Sequence, residues 1–462
     1  MFILLFAIVL TLILVTVTGS VNVNASQPSK KGEVKSFLEK SQMGAQDVTI
    51  AGEDVKLSGD NGSVPDIAAN SQWVAIVYEQ NNQVYIRAAS VSEEAWGFTK
   101  AINTTVSNFP KLAFSSAAGE SNIVHVVWAY GSSLSTSERQ IRYTKCTLSD
   151  PTISCNSAKT IATTASQRLK LPVIAVSPDG TNVHIAWFNQ STDQIQMAHS
   201  GNGGASWSAA KDIFEATDGA SAGEVALAAT GSYVHLVFRD RDPDTGNWYV
   251  RYRRLNKTTH TVDKTEDRTN VTFSGFSNDI RSPIVAAVGS NVYVAWANDG
   301  SVSETHALIG MRSSDEGATW SSSGSNDTFT DIPGDSNTFN TALAPDAKYS
   351  EDGTAVPIAE LGLQPNLAVR GTDFAIVWDQ RANQECSSEL GGLSLSRIYA
   401  AWPSSNWNTN GPLASSGGSS TDYFDIDPSI AFNGTTPHIV FLRADVSSTV
   451  SKCLGGGGSI PY

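Results

Sequence analysis

Residues 172–207 read Pro172-Val-Ile-Ala-Val176, a polar turn, Val183-His-Ile-Ala-Trp187, a second turn, Gln194-Ile-Gln-Met-Ala-His199, and then Ser200-Gly-Asn202-Gly-Gly204-Ala-Ser206-Trp207. Apolar residues alternate with polar ones and are rich in Val and Ile, which is the period of strands and not of helices. The stretch therefore describes three antiparallel strands closed by a glycine-bearing turn.

The same order recurs along the chain. Pro65 leads to Trp73-Val-Ala-Ile-Val-Tyr78, Pro110 to Ile123-Val-His-Val-Val-Trp128, Pro283 to Val292-Tyr-Val-Ala-Trp296, Pro365 to Phe374-Ala-Ile-Val-Trp378 and Pro428 to His438-Ile-Val-Phe441. In the fourth copy Glu224 takes the proline position and Tyr233-Val-His-Leu-Val-Phe238 follows. Repeats spaced at this length point to four-stranded blades. Open sheets must pair or close, and radial repetition around a channel does so economically. Seven copies predict an all-β propeller of seven four-stranded blades over residues 47–454, with six blades and one odd unit as the alternative. Little chain follows the last copy, so Asp47–Leu57 is expected to supply the missing outer strand and close the ring. Residues 26–46 read as a linker and 455–462 as a flexible tail.

The ends and composition bear on location. Met1–Val17 is an uncharged, almost unbroken apolar run, and Val23-Asn24-Ala25 suits signal-peptidase cleavage. Residues 1–25 are thus expected to be a signal peptide, with a retained membrane anchor as the alternative. Four cysteines suit an oxidising compartment, with Cys146 paired to Cys155 across one hairpin and Cys386 paired to Cys453. Sequons at Asn61, Asn103, Asn189, Asn256, Asn270, Asn326 and Asn433 are compatible with a glycoprotein. A net charge of −14 disfavours nucleic acid and anionic membranes as partners.

Ser313-Ser-Asp315-Glu-Gly317-Ala-Thr319-Trp320 matches the pattern Ser-x-Asp-x-Gly-x-Thr-Trp at every defined position, and Ser200 to Trp207 matches it with Asn202 for Asp and Ser206 for Thr. On these two turns, at equivalent places in the repeat, the chain resembles the sialidase-like family of Asp-box (BNR repeat) propellers. The resemblance implies that Ser200, Asn202, Gly204, Trp207, Ser313, Asp315, Gly317 and Trp320 are structural. It also implies a ligand site at the opposite mouth, where second strands end and first strands begin. Loops there carry Glu79, Arg168, Lys170, Arg239, Asp240, Arg281, Arg381, Tyr423 and Arg443.

Sialidases hold the substrate carboxylate with an arginine triad and attack with a tyrosine polarised by a glutamate. By that resemblance Tyr423 is the expected nucleophile, Glu224 its partner, and Arg239, Arg281, Arg381 and Arg443 the substrate-binding arginines. The family's early Arg-Ile-Pro motif is absent, and spacing assigns no acid/base aspartate. The implied partner is an extracellular glycan or surface glycoprotein, and the implied activity a sialidase-type glycoside hydrolase. The alternative is a non-catalytic scaffold that has lost the catalytic set. No cofactor is required. Asp240-Arg-Asp242-Pro-Asp244-Thr-Gly246 resembles a calcium loop, with ordinary turn chemistry as the other reading.

Overall fold

The computed structural model describes residues 9–16, 55–56 and, from 62 to 445, all but 92–95, 97, 104–105, 132–137, 216–222, 242–243, 245–247, 270–278, 300–306, 321–359, 362–365, 371–372, 382–395, 402–422 and 434–435. Among them are strands and turns and no helix. The strands fall into seven antiparallel sheets. Two N-terminal strands, β1 (Val9–Thr16) and β2 (Val55–Lys56), belong to the last sheet. The first sheet is β3 (Gly62–Ala69), β4 (Trp73–Gln80), β5 (Gln83–Ser90) and β6 (Phe98–Ala101). The second holds β7 (Ser107–Phe114), β8 (Ile123–Gly131), β9 (Glu138–Ser149), β10 (Thr152–Cys155) and β11 (Lys159–Thr163). The third is β12 (Leu169–Val176), β13 (Val183–Asn189), β14 (Gln194–Ser200) and β15 (Lys211–Glu215).

The fourth sheet is β16 (Gly223–Ala229), β17 (Tyr233–Arg241), β18 (Trp248–Asn256) and β19 (Val262–Thr269). The fifth shows three strands, β20 (Asp279–Val288), β21 (Asn291–Asp299) and β22 (Ala307–Ser313). The sixth has β23 (Glu360–Leu361), β24 (Asn366–Arg370), β25 (Asp373–Arg381) and β26 (Ser396–Ala401). The seventh adds β27 (Tyr423–Asn433) and β28 (Thr436–Asp445), in the order β2-β1-β28-β27.

The first strands pack side by side in cyclic order: β3 on β7, β7 on β12, β12 on β16, β16 on β20, β20 on β24, β24 on β27, and β27 back on β3. This is a propeller-like arrangement of sheets. Polar side chains staple neighbouring first strands. Asp66 Oδ2 accepts the Leu112 backbone N–H at 3.0 Å, and its Oδ1 accepts the Ser429 hydroxyl at 3.1 Å. Second strands lie between sheets and are buried on both faces, β13 along its whole length. Their closing aromatics Tyr78, Trp128, Trp187, Phe238, Trp296, Trp378 and Phe441 are all buried. Most of them are among the largest side chains that are fully buried.

The two Ser-x-(Asp/Asn)-x-Gly-x-(Ser/Thr)-Trp turns dock in the same way. Ser200 Oγ accepts Gly204 N–H and Ser313 Oγ accepts Gly317 N–H, both at 2.8 Å. Asn202 Oδ1 accepts Ser206 N–H and Asp315 Oδ1 accepts Thr319 N–H, again at 2.8 Å. Each turn seats on a tyrosine of the preceding sheet, and each Trp meets it edge-on: Trp207 on Tyr143 at 4.8 Å and Trp320 on Tyr252 at 4.7 Å between ring centroids. Those tyrosines hydrogen-bond His125 and His235 respectively, at 2.7 and 2.8 Å. The turns therefore join sheet to sheet rather than only closing their own.

Two expectations need correction. Of the segment Asp47–Leu57 only Val55–Lys56 lies among the described residues, and it does not pair with β28. Val9–Thr16 takes that place, in register with β28 from Val9 opposite Asp445 to Thr16 opposite His438, and Val55–Lys56 pairs outside it. An eight-residue apolar run with β-branched members fits a strand flanked on both sides. In the fourth copy Val225, not Glu224, stands where other copies have proline. Glu224 matches Phe109, Leu171 and Ser282, the residues before proline, and shares their positive φ of 43–55°. The first strands bulge at this point in six sheets.

Cys146 and Cys155 are bonded, directly opposite across β9 and β10, with Cα atoms 4.0 Å apart. Cys386 and Cys453 lie outside the described residues.

Candidate functional site

First strands begin, second strands end and third strands begin at one end of every sheet, so that end collects charged side chains from neighbouring sheets. In the fourth sheet the bulge turns Glu224 toward its neighbours. Its Oε1 lies 3.4 Å from Arg239 Nη1, and its Oε2 accepts the backbone N–H of Ser282, the bulge residue of the next sheet. Arg239 lies with its guanidinium carbon 3.6 Å over the Trp248 ring, and Arg241 stands 5.8 Å from the same ring. Cation–π stacking fixes the plane of Arg239. Asp240, buried at the root of its loop, accepts Arg251 Nε at 2.9 Å and Nη2 at 2.8 Å. That pairing occupies the first carboxylate of the calcium-like loop, whose Asp242 and Gly246 lie outside the described residues. Among the described residues no group of three His, Cys, Asp or Glu is placed to hold a metal ion.

A second cluster spans the first three sheets at the same end. Glu138 opens β9 and is 2% exposed. Asn108 Nδ2 donates to its Oε1 at 2.8 Å, and Arg168 Nε to its Oε2 at 2.7 Å. Burial alone would raise the Glu138 pKa, but the bonds from Arg168 and Asn108 outweigh it and the carboxyl is lowered. Glu79, at the end of β4, is half-buried. Burial, with the charge of Glu138 adding to it, pushes its pKa up to about 7. Lys170 is lowered by burial first and by the charge of Arg168 second, with Glu138 opposing.

The structure thus brings Glu224 and Arg239 together. Arg281, Arg381, Tyr423 and Arg443 are placed by backbone alone, their side chains lying outside the described residues. Arg281 is near the start of β20, Arg381 ends β25 opposite Glu360, Tyr423 opens β27 opposite Asp445, and Arg443 lies opposite Asp425. All four positions are at the same end as Glu224. Sequence reasoning missed Glu138, Asn108 and Trp248. Each is the first or second residue of a strand, and the alternation pattern gives no weight to a strand's first residues. Of the sequons, Asn189 is 1% exposed with its amide bonded to Gln167, whereas Asn256 is exposed at the end of β18.

No family model and no curated protein matches the chain. Among solved structures it is similar to an α-L-arabinofuranosidase variant from Fusarium graminearum bound to an iminosugar inhibitor. That match has 12% identity and a TM-score of 0.42, covering 74% of this chain and 93% of that one. It is also similar to the endosialidase of phage phi92, at 8% identity and a TM-score of 0.39, covering 86% of this chain and 68% of that one. The catalytic domain of a Coprinopsis cinerea α-L-arabinofuranosidase overlaps at 7% identity and a TM-score of 0.33, covering 55% of this chain and 90% of that one.

Proposed function

We propose that this chain is an exported, seven-bladed, sialidase-like propeller that takes an acidic glycan at the end of the ring where first strands begin. The observation that carries the reading is that three arginine–carboxylate pairs lie at that end: Arg168 with Glu138, Arg239 with Glu224 and Arg251 with Asp240. Arginine forks suit a sugar carboxylate, carboxylates suit sugar hydroxyls, and an indole face suits the apolar side of a pyranose. Arg239 and Glu224 keep part of their surface open, at 17% and 35%. The reaction class this supports is hydrolysis of a terminal sialoside, with Tyr423 as nucleophile and Glu224 as its partner. The two Ser-x-(Asp/Asn)-x-Gly-x-(Ser/Thr)-Trp turns support the family assignment. The mutual satisfaction of the pairs favours a second reading, a scaffold whose mouth charges serve only one another.

Calorimetric titration with 3′-sialyllactose and with lactose separates the two. The glycan reading expects binding of the sialylated sugar only, weakened at least tenfold in Arg239→Ala. Equal behaviour of both sugars, unchanged in the variant, would favour the scaffold.

A further inference from the structure

We infer that Asn256 carries an N-linked glycan in the exported protein, and that Asn103 and Asn189, whose sequons read equally well, stay bare. Only the export proposed above is needed for this, not the ligand site. An Asn-x-Ser/Thr triplet marks an acceptor, but the folded chain must also house the bulky, hydrated product. The three amides differ in what they already do.

Asn189 opens the sequon Asn189-Gln190-Ser191 and is 1% exposed. Its Nδ2 donates to Gln167 Oε1 at 2.9 Å, and its Oδ1 accepts Ser191 N–H at 3.2 Å. The Ser191 hydroxyl in turn accepts the Arg168 backbone N–H at 3.0 Å. Asn103 bridges two sheets. Its Oδ1 accepts Val84 N–H at 2.9 Å, and its Nδ2 donates to the hydroxyl of Ser107, which is fully buried. A sugar on either nitrogen would have to be seated in packed protein, against Gln167 in one case and Ser107 in the other.

Asn256-Lys257-Thr258 is built the other way. Asn256 and Thr258 are both exposed. Asn256 Oδ1 accepts Thr258 N–H at 2.9 Å and Thr259 N–H at 3.1 Å, so the carboxamide is fixed to the turn by its oxygen. Among the described residues neither its Nδ2 nor the Thr258 hydroxyl has a hydrogen-bond partner. Other residues pin the turn to the third sheet: Lys257 Nζ lies 3.3 Å from Asp179 Oδ2, and His260 Nε2 2.9 Å from His184 Nδ1. A glycan on Asn256 therefore breaks no contact. It stands where a third strand ends, at the end opposite Glu224 and Arg239.

The co-reactant is an oligosaccharide joined through phosphate to a membrane lipid, met during export. Asn256 Nδ2 bonds to the anomeric carbon as the bond from that carbon to the phosphate oxygen breaks. The phosphate keeps the electron pair, and Nδ2 releases one proton, so the amide remains neutral.

The test expresses the full chain in cultured animal cells. Chain recovered from the medium is treated with peptide N-glycosidase in heavy-oxygen water, which labels each asparagine that bore a glycan. Peptide mass spectra are expected to show the label at Asn256 and none at Asn103 or Asn189. Thr258→Ala is expected to lose the Asn256 label completely, because the acceptor hydroxyl is gone. Its backbone N–H still bonds Asn256 Oδ1, so the variant keeps the turn. Label on Asn103 or Asn189, or label at Asn256 that survives Thr258→Ala, would overturn the inference. Secreted chain with Asn256 unlabelled would overturn it and leave export standing. Chain retained inside the cells without label would overturn both.

Discussion

At Gly204 and Gly317 a methyl group has nowhere to go. Both have positive φ, +84° and +76°, and a Cβ built on either would overlap the hydroxyl of the tyrosine beneath it, Tyr143 or Tyr252. Gly119 has the same kind of backbone, φ +82°, with open space around it. Gly119→Ala is therefore expected to cost about 1 kcal/mol from backbone conformation alone. Gly204→Ala and Gly317→Ala are expected to cost about 2–4 kcal/mol, since overpacking adds to it. Urea unfolding of the three variants checks this, and equal losses at all three would show that the turns are not pressed onto their neighbours. The turn itself was legible in the sequence, because Ser, Asp, Gly and Trp each have a local task. Its seat was not, because Tyr143 and Tyr252 belong to another copy of the repeat and no local pattern joins them to the turn. Glu138 was illegible for a similar reason. Only the packing of Arg168 and Asn108 from two different sheets makes that glutamate a fixed charge.

Among the elements, the junction of the third and fourth sheets departs from the tyrosine seat. His184 Nδ1 meets His260 Nε2 at 2.9 Å, with His199 packed beside them. His260 stands in the turn from β18 to β19, where the fifth sheet has its Ser313–Trp320 turn. Burial first, then the charges of His260, His199 and Lys257, hold His184 well below its ordinary range, with Asp179 opposing. Burial, then His199 and Lys211, lowers His260 to about 4, and burial is the main cause that lowers His125 and His235 to about 3. The unfolded chain binds more protons than the folded one between these values and about 6.5. Stability is thus complete above about pH 6.5 and falls as pH drops toward 3–4. Urea midpoints measured between pH 7.5 and 4 are expected to fall steadily, and His260→Gln is expected to flatten the slope. A midpoint independent of pH through this range would contradict the buried imidazoles. The strand alternation that revealed these elements is insensitive to order within a sheet. For that reason the direct partner of β28 was misread, although the need for a strand from the N-terminus was plain from the short tail after Phe441.

For the whole molecule, the ring and its mouth are separate claims. Seven copies, six of them opening on proline, marked seven sheets because each buries one aromatic near the end of its second strand. The cyclic packing of first strands follows from the same repetition. The mouth was only half legible, as loops carry function without a periodic signature. Export makes a prediction of its own. If residues 1–25 are removed on secretion, β1 is lost and Asp47–Leu57, which carries its own apolar alternation, can move inward onto β28. Chain beginning at Ser26 is then expected to melt within a few degrees of the full chain and as cooperatively. A loss of cooperative melting would show that Val9–Thr16 is a permanent part of the seventh sheet. The most direct test of the account is a crystal structure of the protein grown with 3′-sialyllactose. The account predicts seven sheets around one axis, with the sugar at the end bearing Glu79, Glu224 and Arg239 and its carboxylate within hydrogen-bonding distance of at least one arginine there. A sugar bound at the end carrying the Ser200–Trp207 and Ser313–Trp320 turns, or a ring of six sheets, would contradict it.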